Sequence, residues 1–165
     1  MPREAKFWFK LVWIMVFPAL VIFTSETKAA EPVHLSRGQL IYVPVYSHIY
    51  SGDRELPFLL TAILSIRNTD PQHSITVIAA DYYDSEGKLI RKYLEKPINL
   101  NALASARYIV RESDKSGGSG ANFLVRWRAD TDVNHPIVEA VMIGTKSKQG
   151  ISFVSPGTVI RESGD

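Results

Sequence analysis

The chain has no cysteine among its 165 residues. This absence excludes disulfide bonds, thiolate metal sites, redox motifs and cysteine nucleophiles. It also excludes a lipid-modified cysteine behind an export signal. A domain of this size can bury a core that is stable without disulfides, so the absence is compatible with a protein that works outside the cytoplasm.

Long apolar runs are scarce too, and the most prominent one lies near the N-terminus. Residues 11–23 carry no charge, and they follow a start that contains Arg3, Lys6 and Lys10. Two small residues, Ala29 and Ala30, follow this run after a short polar segment. A basic start, an apolar middle and a small-residue cleavage site are typical of a secretory signal peptide.

This order predicts two segments. Residues 1–29 are expected to form a signal peptide with a short helix, and residues 30–165 a single domain that is periplasmic or secreted. The alternative is an uncleaved anchor at residues 7–23, which would hold the domain at the inner membrane and would be its membrane contact. A spanning helix needs about 20 apolar residues, and Lys10 interrupts this segment.

Neither sign of charge is in excess once the signal segment is removed. Residues 30–165 keep fifteen of the nineteen lysines and arginines and fifteen of the seventeen acidic residues. The net charge of +2 for the whole chain therefore comes from the export signal. We expect no nucleic-acid partner, because proteins that bind nucleic acid concentrate positive charge on one face.

Apolar and polar residues in the predicted domain alternate with a period of two, which is typical of strands with one buried face. The pattern contains no long amphipathic helix and no solenoid-type repeat. It predicts seven to nine short strands and hence an all-β, antiparallel, immunoglobulin-like β-sandwich. The expected strands cover 39–49, 60–67, 75–83, 88–93, 106–112, 122–129, 137–145, 151–154 and 158–161.

The pattern also predicts how some of these strands are arranged. Residues 58–93 are expected to form the middle of one antiparallel sheet, as three successive strands. The strand at 137–145 is mostly apolar and is expected to be central, and residues 151–161 are expected to form a last hairpin. In the strand at 122–129, Trp127 shares the parity of its apolar neighbours, so we place it in the core.

Five short segments form a recognisable set: YSHIY at 46–50, IRNTD at 66–70, DYYD at 81–84, GGSGANF at 117–123 and GISF at 150–153. Together they resemble the signature segments of a bacterial family catalogued as domain of unknown function 3124. The resemblance covers nearly all of residues 35–161, and it implies no activity, cofactor or site residue. A looser similarity to immunoglobulin-like domains of exported proteins implies the fold alone.

Four polar aromatic side chains share the parity opposite to the aliphatic residues of the first predicted strand. They are Tyr42, Tyr46, His48 and Tyr50. Pro44 cannot donate to a ladder, so this strand is expected to be an edge or to bulge there. Tyrosine is enriched where proteins meet partners, and we predict that these four residues bind a protein partner. The alternatives are that another loop or the last hairpin covers them, or that the strand is buried on both faces.

A glycine-rich loop supplies the second part of the predicted surface. It contains Gly117, Gly118, Ser119 and Gly120. As G-x-S-x-A it is similar to a nucleophile elbow, but that turn needs a strand before it and a helix after it. As a phosphate cradle it lacks the lysine and the helix start. The loop is expected to connect two strands, or alternatively to close over a ligand.

Two sets of acidic and histidine residues are weaker candidates. Asp130, Asp132 and His135 have a spacing that can hold a divalent ion, but such turn residues also bond their own backbone. His48, Asp81 and His135 would form a metal or catalytic site only if the fold brings them together. Asp81, if buried, is instead expected to pair with an arginine of a neighbouring strand.

The sequence favours an exported, non-catalytic binding module of the bacterial envelope. We assign no catalytic residue, metal site or cofactor, and we expect a protein partner at the tyrosine-rich segment and the glycine loop. One alternative is an envelope metal-binding protein or enzyme that uses His48, Asp81 and His135. The other is a membrane-tethered accessory domain.

Overall fold

The strands of the domain follow the alternation of the sequence. The computed structural model describes residues 34–145 and 150–162, so the predicted signal peptide lies outside the described residues. Within these ranges every regular element is a strand, and no helical segment could span a bilayer. The strands are β1 (Leu35–Val45), β2 (His48–Ser51), β3 (Leu56–Leu59), β4 (Thr61–Arg67), β5 (Ile75–Tyr83), β6 (Leu89–Lys92), β7 (Ile98–Leu100), β8 (Ser105–Val110), β9 (Ala121–Asn134), β10 (Ile137–Gly144), β11 (Ile151–Pro156) and β12 (Thr158–Glu162).

The described residues form two antiparallel sheets and one separate hairpin. The first sheet has the order β12-β1-β9-β5-β6, and β7 also pairs with β5. The second sheet has the order β11-β10-β4-β8, and β2 pairs with β3 as a separate hairpin. The prediction of an all-β, antiparallel sandwich is confirmed, and β10 is central in its sheet as expected. The short strands β3 and β7 were not predicted.

Strand β9 shows how the alternation places side chains in the core. Phe123, Val125 and Trp127 are fully buried, whereas Arg126 and Arg128 are exposed on the opposite face. A large apolar side chain contributes about 1.5–3 kcal/mol when it leaves water, so side chains of this kind are the main source of stability. The largest fully buried ones are Trp127, Tyr82, Phe123, Leu60, Leu64, Ile66, Ile75 and Met142.

The segment 58–93 does not form three neighbouring strands of one sheet, so that prediction was wrong. β4 lies in the second sheet, whereas β5 and β6 lie in the first. The chain crosses from one sheet to the other at residues 68–74, between these strands. Alternation predicts which face of a strand is buried, but it does not specify the neighbouring strand.

A buried polar cluster occupies this crossing. The Nδ2 atom of Asn68 donates to the carbonyl of His73 at 2.8 Å and to that of Asn101 at 3.0 Å. Asp70 accepts from the backbone N–H of Gln72 at 2.9 Å and of His73 at 2.8 Å. These backbone donations lower the pKa of Asp70 to about 2. Asn68 therefore fastens the β4–β5 connection to the segment that follows β7, and Asp70 orders the connection itself.

The last predicted hairpin is also a crossing between sheets, which corrects a second prediction. β11 pairs with β10, and β12 pairs with β1. Gly157 lies at the crossing, where its N–H donates to the carbonyl of Val138 at 2.8 Å. A Cβ on Gly157 would lie 2.6 Å from Cγ2 of Ile41. Glycine is required here because the two layers approach closely, and not because a hairpin turns.

Candidate functional site

The first predicted strand is interrupted at Ser47, so the prediction of one strand over 39–49 was wrong. β1 ends at Val45, and β2 begins at His48. The N–H of Ser47 donates to the carbonyl of Gly118 at 3.0 Å, and its carbonyl accepts from the N–H of Leu60 at 3.0 Å. Its hydroxyl also donates to Gly118 at 3.0 Å. Ser47 thus connects the end of β1, the glycine loop and the start of β4.

β1 is an edge strand at its two ends and is paired on both sides in its middle. Along Gln39–Tyr42 it is paired with β12 on one side and with β9 on the other. Pro44 lies opposite Asn122 of β9, beyond the residues that pair with β12. Pro44 therefore lies where β1 is no longer paired with β12, which suits a residue that has no N–H to donate.

The four polar aromatic residues do not form one continuous stripe. Tyr42 is half-buried on the paired part of β1. Tyr46 packs edge-to-face on Phe153 of β11, with ring centroids 5.7 Å apart. The alternative that the last strands cover part of this set therefore holds for Tyr46. Only His48 and Tyr50 belong to the separate hairpin of β2 and β3.

One side of this hairpin faces away from the core. Across the two strands, His48 pairs with Leu59 and Tyr50 pairs with Pro57. We call these four residues the hairpin face. The alternate pair, Ile49 and Phe58, is packed against the hydrophobic core, so the hairpin face points outward. Tyr50 is 56% exposed and is the most accessible aromatic group of the predicted site.

His48 holds the ring of Tyr50 in place. Nε2 of His48 lies 3.2 Å from the hydroxyl of Tyr50, and the two rings are perpendicular with centroids 5.1 Å apart. Nδ1 of His48 lies 3.3 Å from the hydroxyl of Ser47. The imidazole is therefore positioned on both sides, and it orients the tyrosine before any partner arrives.

The glycine loop is fastened to the β5–β6 turn by Ser85. The carbonyl of Gly117 accepts from both the N–H and the hydroxyl of Ser85, at 3.0 Å each. The N–H of Gly120 donates to the Ser85 hydroxyl at 2.9 Å. Gly118 has a φ of +79°, which favours glycine, and a Cβ there would overlap the same hydroxyl. The loop with Ser119 connects β8 to β9, so it lacks the strand-to-helix turn of a nucleophile elbow.

Gly117 also packs directly on a buried tyrosine. The hydroxyl of Tyr82 is buried and has no hydrogen-bond partner among the described residues. Burial raises the pKa of Tyr82, and the negative charge of Asp114 adds to this effect. A Cβ on Gly117 would overlap the Tyr82 hydroxyl. The sequence pattern did not identify Ser85 or Tyr82 as neighbours of the loop, because both are more than 30 positions away.

His48, Asp81 and His135 do not converge, which removes the alternative of a metal or catalytic site built from these three residues. His135 lies against Gln39, with 3.2 Å from the Gln39 amide nitrogen to each ring nitrogen. Gln39 and Val45 are six steps apart on β1, about 20 Å along the strand, and His48 follows Val45. Within the described ranges no three metal-ligating side chains are grouped together.

The strand pairing also decides the predictions for Asp81 and for the segment with Asp130 and Asp132. Asp81 lies opposite Lys92 on β6 and Leu124 on β9, and no described ion pair joins it to Arg126 or Arg128. Residues 130–134 continue β9 instead of forming a turn. Asp132 forms a two-pronged ion pair with Arg37, at 3.0 and 3.2 Å.

A polar recess of about 620 Å³ surrounds this ion pair, and sequence reasoning did not find it. The carboxylate of Glu162 accepts from the hydroxyl of Ser36 at 2.7 Å and from the amide of Gln39 at 2.8 Å. Burial alone would raise the pKa of Glu162, but these donors and the electrostatic interaction with His135 lower it. The charged groups of the recess have partners within it: Arg37 joins β1 to Asp132 of β9, and Glu162 joins β12 to Ser36 and Gln39 of β1. We therefore interpret the recess as part of the attachment of β1 to its two neighbouring strands. Its lining residues are His34, Leu35, Ser36, Arg37, Asp132, His135, Val159 and Glu162.

Comparisons with known proteins give the family but no activity. A search of curated proteins finds no match. The chain is similar to the solved structure titled "Crystal Structure of Thermotoga maritima 1070", with 8% identity and a TM-score of 0.46 over 78% of this chain and 97% of that chain. That similarity carries no argument about function. Residues 38–160 match the family model described as "Protein of unknown function (DUF3124)", and the chain therefore belongs to this family.

Proposed function

We propose that the chain is an exported, non-catalytic protein-binding module and that the hairpin face is its binding surface. The observation that carries the proposal is the pairing of His48 with Leu59 and of Tyr50 with Pro57 on one outward side of β2–β3. These side chains are aromatic, imidazole, aliphatic and proline, and none is an acid, a lysine or an arginine. The centres of protein interfaces are likewise rich in aromatic groups and poor in charge.

Tyr50 is the expected anchor of this surface. It is 56% exposed, and tyrosines of this kind dominate the energy of many interfaces. Its ring is already oriented by His48 at 3.2 Å. Because the side chain is ordered before binding, less conformational entropy is lost when a partner covers it.

The scaffold under the hairpin face supports the same proposal. A two-stranded hairpin is marginally stable by itself in water. Here Ile49 and Phe58 attach it to the core. The bond from the N–H of Leu60 to the carbonyl of Ser47 joins its two ends, and the bond from Ser47 to Gly118 fastens them to the glycine loop. A binding surface on a fixed scaffold keeps one geometry, which favours a specific partner.

Export rests on the order of the N-terminal residues, and it has a direct test. The basic start, the uncharged run at 11–23 and the small residues at 29–30 are the features of a cleaved signal peptide. Mass spectrometry of the protein recovered from the envelope should find an N-terminus at Ala30. A protein that keeps residues 7–23 would instead support the membrane-tethered alternative.

Photo-crosslinking in living cells tests the binding surface. A photoreactive amino acid that replaces Tyr50 should give a discrete adduct with another protein on illumination. The same replacement at Ile160, which is 53% exposed on β12, is the matched control and should not give that adduct. The adduct from position 50 should also disappear when Pro57→Asp is introduced, because the charge would lie directly opposite Tyr50.

Two results would contradict the proposal. Position 50 and position 160 could give the same pattern of adducts, which would mean that the hairpin face has no preference for a partner. Alternatively, Tyr50→Ala could unfold the domain, which would mean that Tyr50 is part of the core.

A further inference from the structure

The outer face of the second sheet carries an apolar row that crosses all its strands. In the two central strands, β4 and β10, inward residues such as Leu64 and Met142 are fully buried. The outward residues that lie opposite one another in register are Ile109 on β8, Ile63 on β4, Val141 on β10 and Val154 on β11. Ile109 is 45% exposed and Val154 is 53% exposed.

Such a row is unusual for a surface that faces water. In a two-layer antiparallel sandwich the outer face of each sheet is normally polar. Apolar side chains that are contiguous on a surface mark an interaction site. The occupant of this face is indicated by the residues beside the row.

The neighbouring row carries charges of opposite sign on either side of β4. Arg107 of β8 lies opposite Ser65 of β4, and Ser65 lies opposite Glu139 of β10. Arg107 is exposed, and it forms no ion pair with another residue in the described ranges. Glu139 lies 3.8 Å from the guanidinium of Arg67, which is a long contact that leaves room for a second donor.

This pattern is self-complementary about a two-fold axis that runs along β4. Rotation about that axis exchanges the positions of β8 and β10 when two copies face each other. Ile63 then meets Ile63 of the second copy, Ile109 meets Val141, and Arg107 meets Glu139. Arg107 and Glu139 each lie one strand, about 4.8 Å, from Ser65, so if the two sheets cross at Ser65 the usual 30° angle between packed sheets displaces each charged residue by about 2–3 Å.

We propose that two copies of this chain associate through the outer face of the second sheet, about a two-fold axis along β4. Each dimer contains the Arg107–Glu139 contact twice, because a two-fold interface uses the same patch on both copies. Arg67 lies on the axis and meets Arg67 of the second copy. Its Nε donates to the hydroxyl of Ser65 at 3.1 Å, which holds it along its own sheet.

Charge reversal tests this geometry on the protein purified from cells that express the full chain. Sedimentation velocity should show a dimer that dissociates on dilution. Arg107→Glu alone and Glu139→Arg alone should each weaken the dimer at least about tenfold. An equimolar mixture of the two variants should recover dimers, because each contact then joins opposite charges again.

Two apolar variants serve as a matched pair. Ile109 and Val154 are exposed to a similar degree, but Ile109 lies one strand from the axis and Val154 lies two strands from it, with no facing strand beyond β8. Ile109→Asp should therefore weaken the dimer at least about tenfold, and Val154→Asp should change it less than about threefold.

The proposal is overturned if the wild-type protein stays monomeric up to about 1 mM. It is also overturned if the mixture of charge variants does not recover dimers, or if Ile109→Asp and Val154→Asp have equal effects. Equal effects would mean that a different occupant, such as another protein, covers the whole row.

Discussion

Replacing Gly117 with alanine pushes a methyl group against Tyr82, and the packing gives the size of the effect. A Cβ on Gly117 overlaps the Tyr82 hydroxyl and lies 2.7 Å from its Cζ and 2.8 Å from Cβ of Ala121. Tyr82 is fully buried, and its ring packs against Phe123 with centroids 5.0 Å apart, so it has little room to move. Overpacking of this kind lowers the free energy of unfolding, and we expect a loss of about 3 kcal/mol.

Tyr82→Phe should act in the opposite direction. The Tyr82 hydroxyl is buried without a hydrogen-bond partner among the described residues. A buried unsatisfied group costs about 1–3 kcal/mol, and the small void left by its removal offsets part of that gain. We expect Tyr82→Phe to raise the free energy of unfolding by about 1 kcal/mol. In the Tyr82→Phe variant the hydroxyl is gone, so the new methyl group of Gly117→Ala contacts only the ring carbon. Gly117→Ala should therefore cost less in this variant than in the wild type, by about 1–2 kcal/mol.

Urea unfolding of the wild type, the two single variants and the double variant measures this coupling. Gly150→Ala is the control, because a Cβ there would have no neighbour within 4 Å, and it should change stability by less than about 0.5 kcal/mol. Additivity of the two changes to within about 0.5 kcal/mol would refute the described contact between the loop and the tyrosine.

Three further changes test the polar contacts of the domain. The folded-state pKa of Asp70 is lowered to about 2, below its unfolded value of about 4. The stabilisation by the ionised Asp70 is therefore complete above pH 4 and is lost as the pH falls through 2. Asp70→Asn should lower the free energy of unfolding at pH 7, and denaturant titrations should show that the difference from the wild type becomes smaller between pH 4 and pH 2. Gln39→Leu leaves the buried N–H of Trp127 without its acceptor at 3.3 Å, and urea unfolding should show a loss of about 1–3 kcal/mol; no loss would mean that this bond is absent. Ser85→Ala removes the acceptor of the Gly120 N–H at 2.9 Å, so exchange of that amide should accelerate relative to the amides of β9; unchanged exchange would mean that the loop is held by other contacts.

The alternation of the sequence was sufficient to predict most of the strands and much of the core, but not the short strands β3 and β7. In β9 the positions of Phe123, Val125 and Trp127 follow from their parity alone, because successive side chains in a strand point to opposite faces. The mostly apolar composition of β10 correctly predicted its central place between β11 and β4. These features depend on residues that are close in sequence.

The sheet to which each strand belongs could not be predicted in the same way. A short polar connection can join two paired strands, or it can carry the chain from one sheet to the other. The connection at Pro156 and Gly157 has the composition of a hairpin turn, yet Gly157 is required by its closeness to Ile41 and Val138. That requirement depends on packing between residues that are distant in sequence.

In the candidate site, too, local patterns predicted some features, and contacts between distant residues determined the others. The parity of His48 and Tyr50 was read correctly, since their alternate neighbour Ile49 packs on the core. The break at Ser47 was missed, because the bonds that cause it run to Gly118, 71 positions later. No local pattern distinguishes a serine that continues a strand from one that ends it by bonding a remote loop.

The most direct test of the account is the affinity of the hairpin face for the protein that crosslinks to position 50. Calorimetric titration of that purified protein with the wild type, Tyr50→Ala and Ile160→Ala compares the anchor with a similarly exposed side chain elsewhere. We predict that Tyr50→Ala weakens binding at least about tenfold and that Ile160→Ala changes it less than about twofold. Equal affinities for all three proteins would contradict the assignment of the hairpin face as the binding surface.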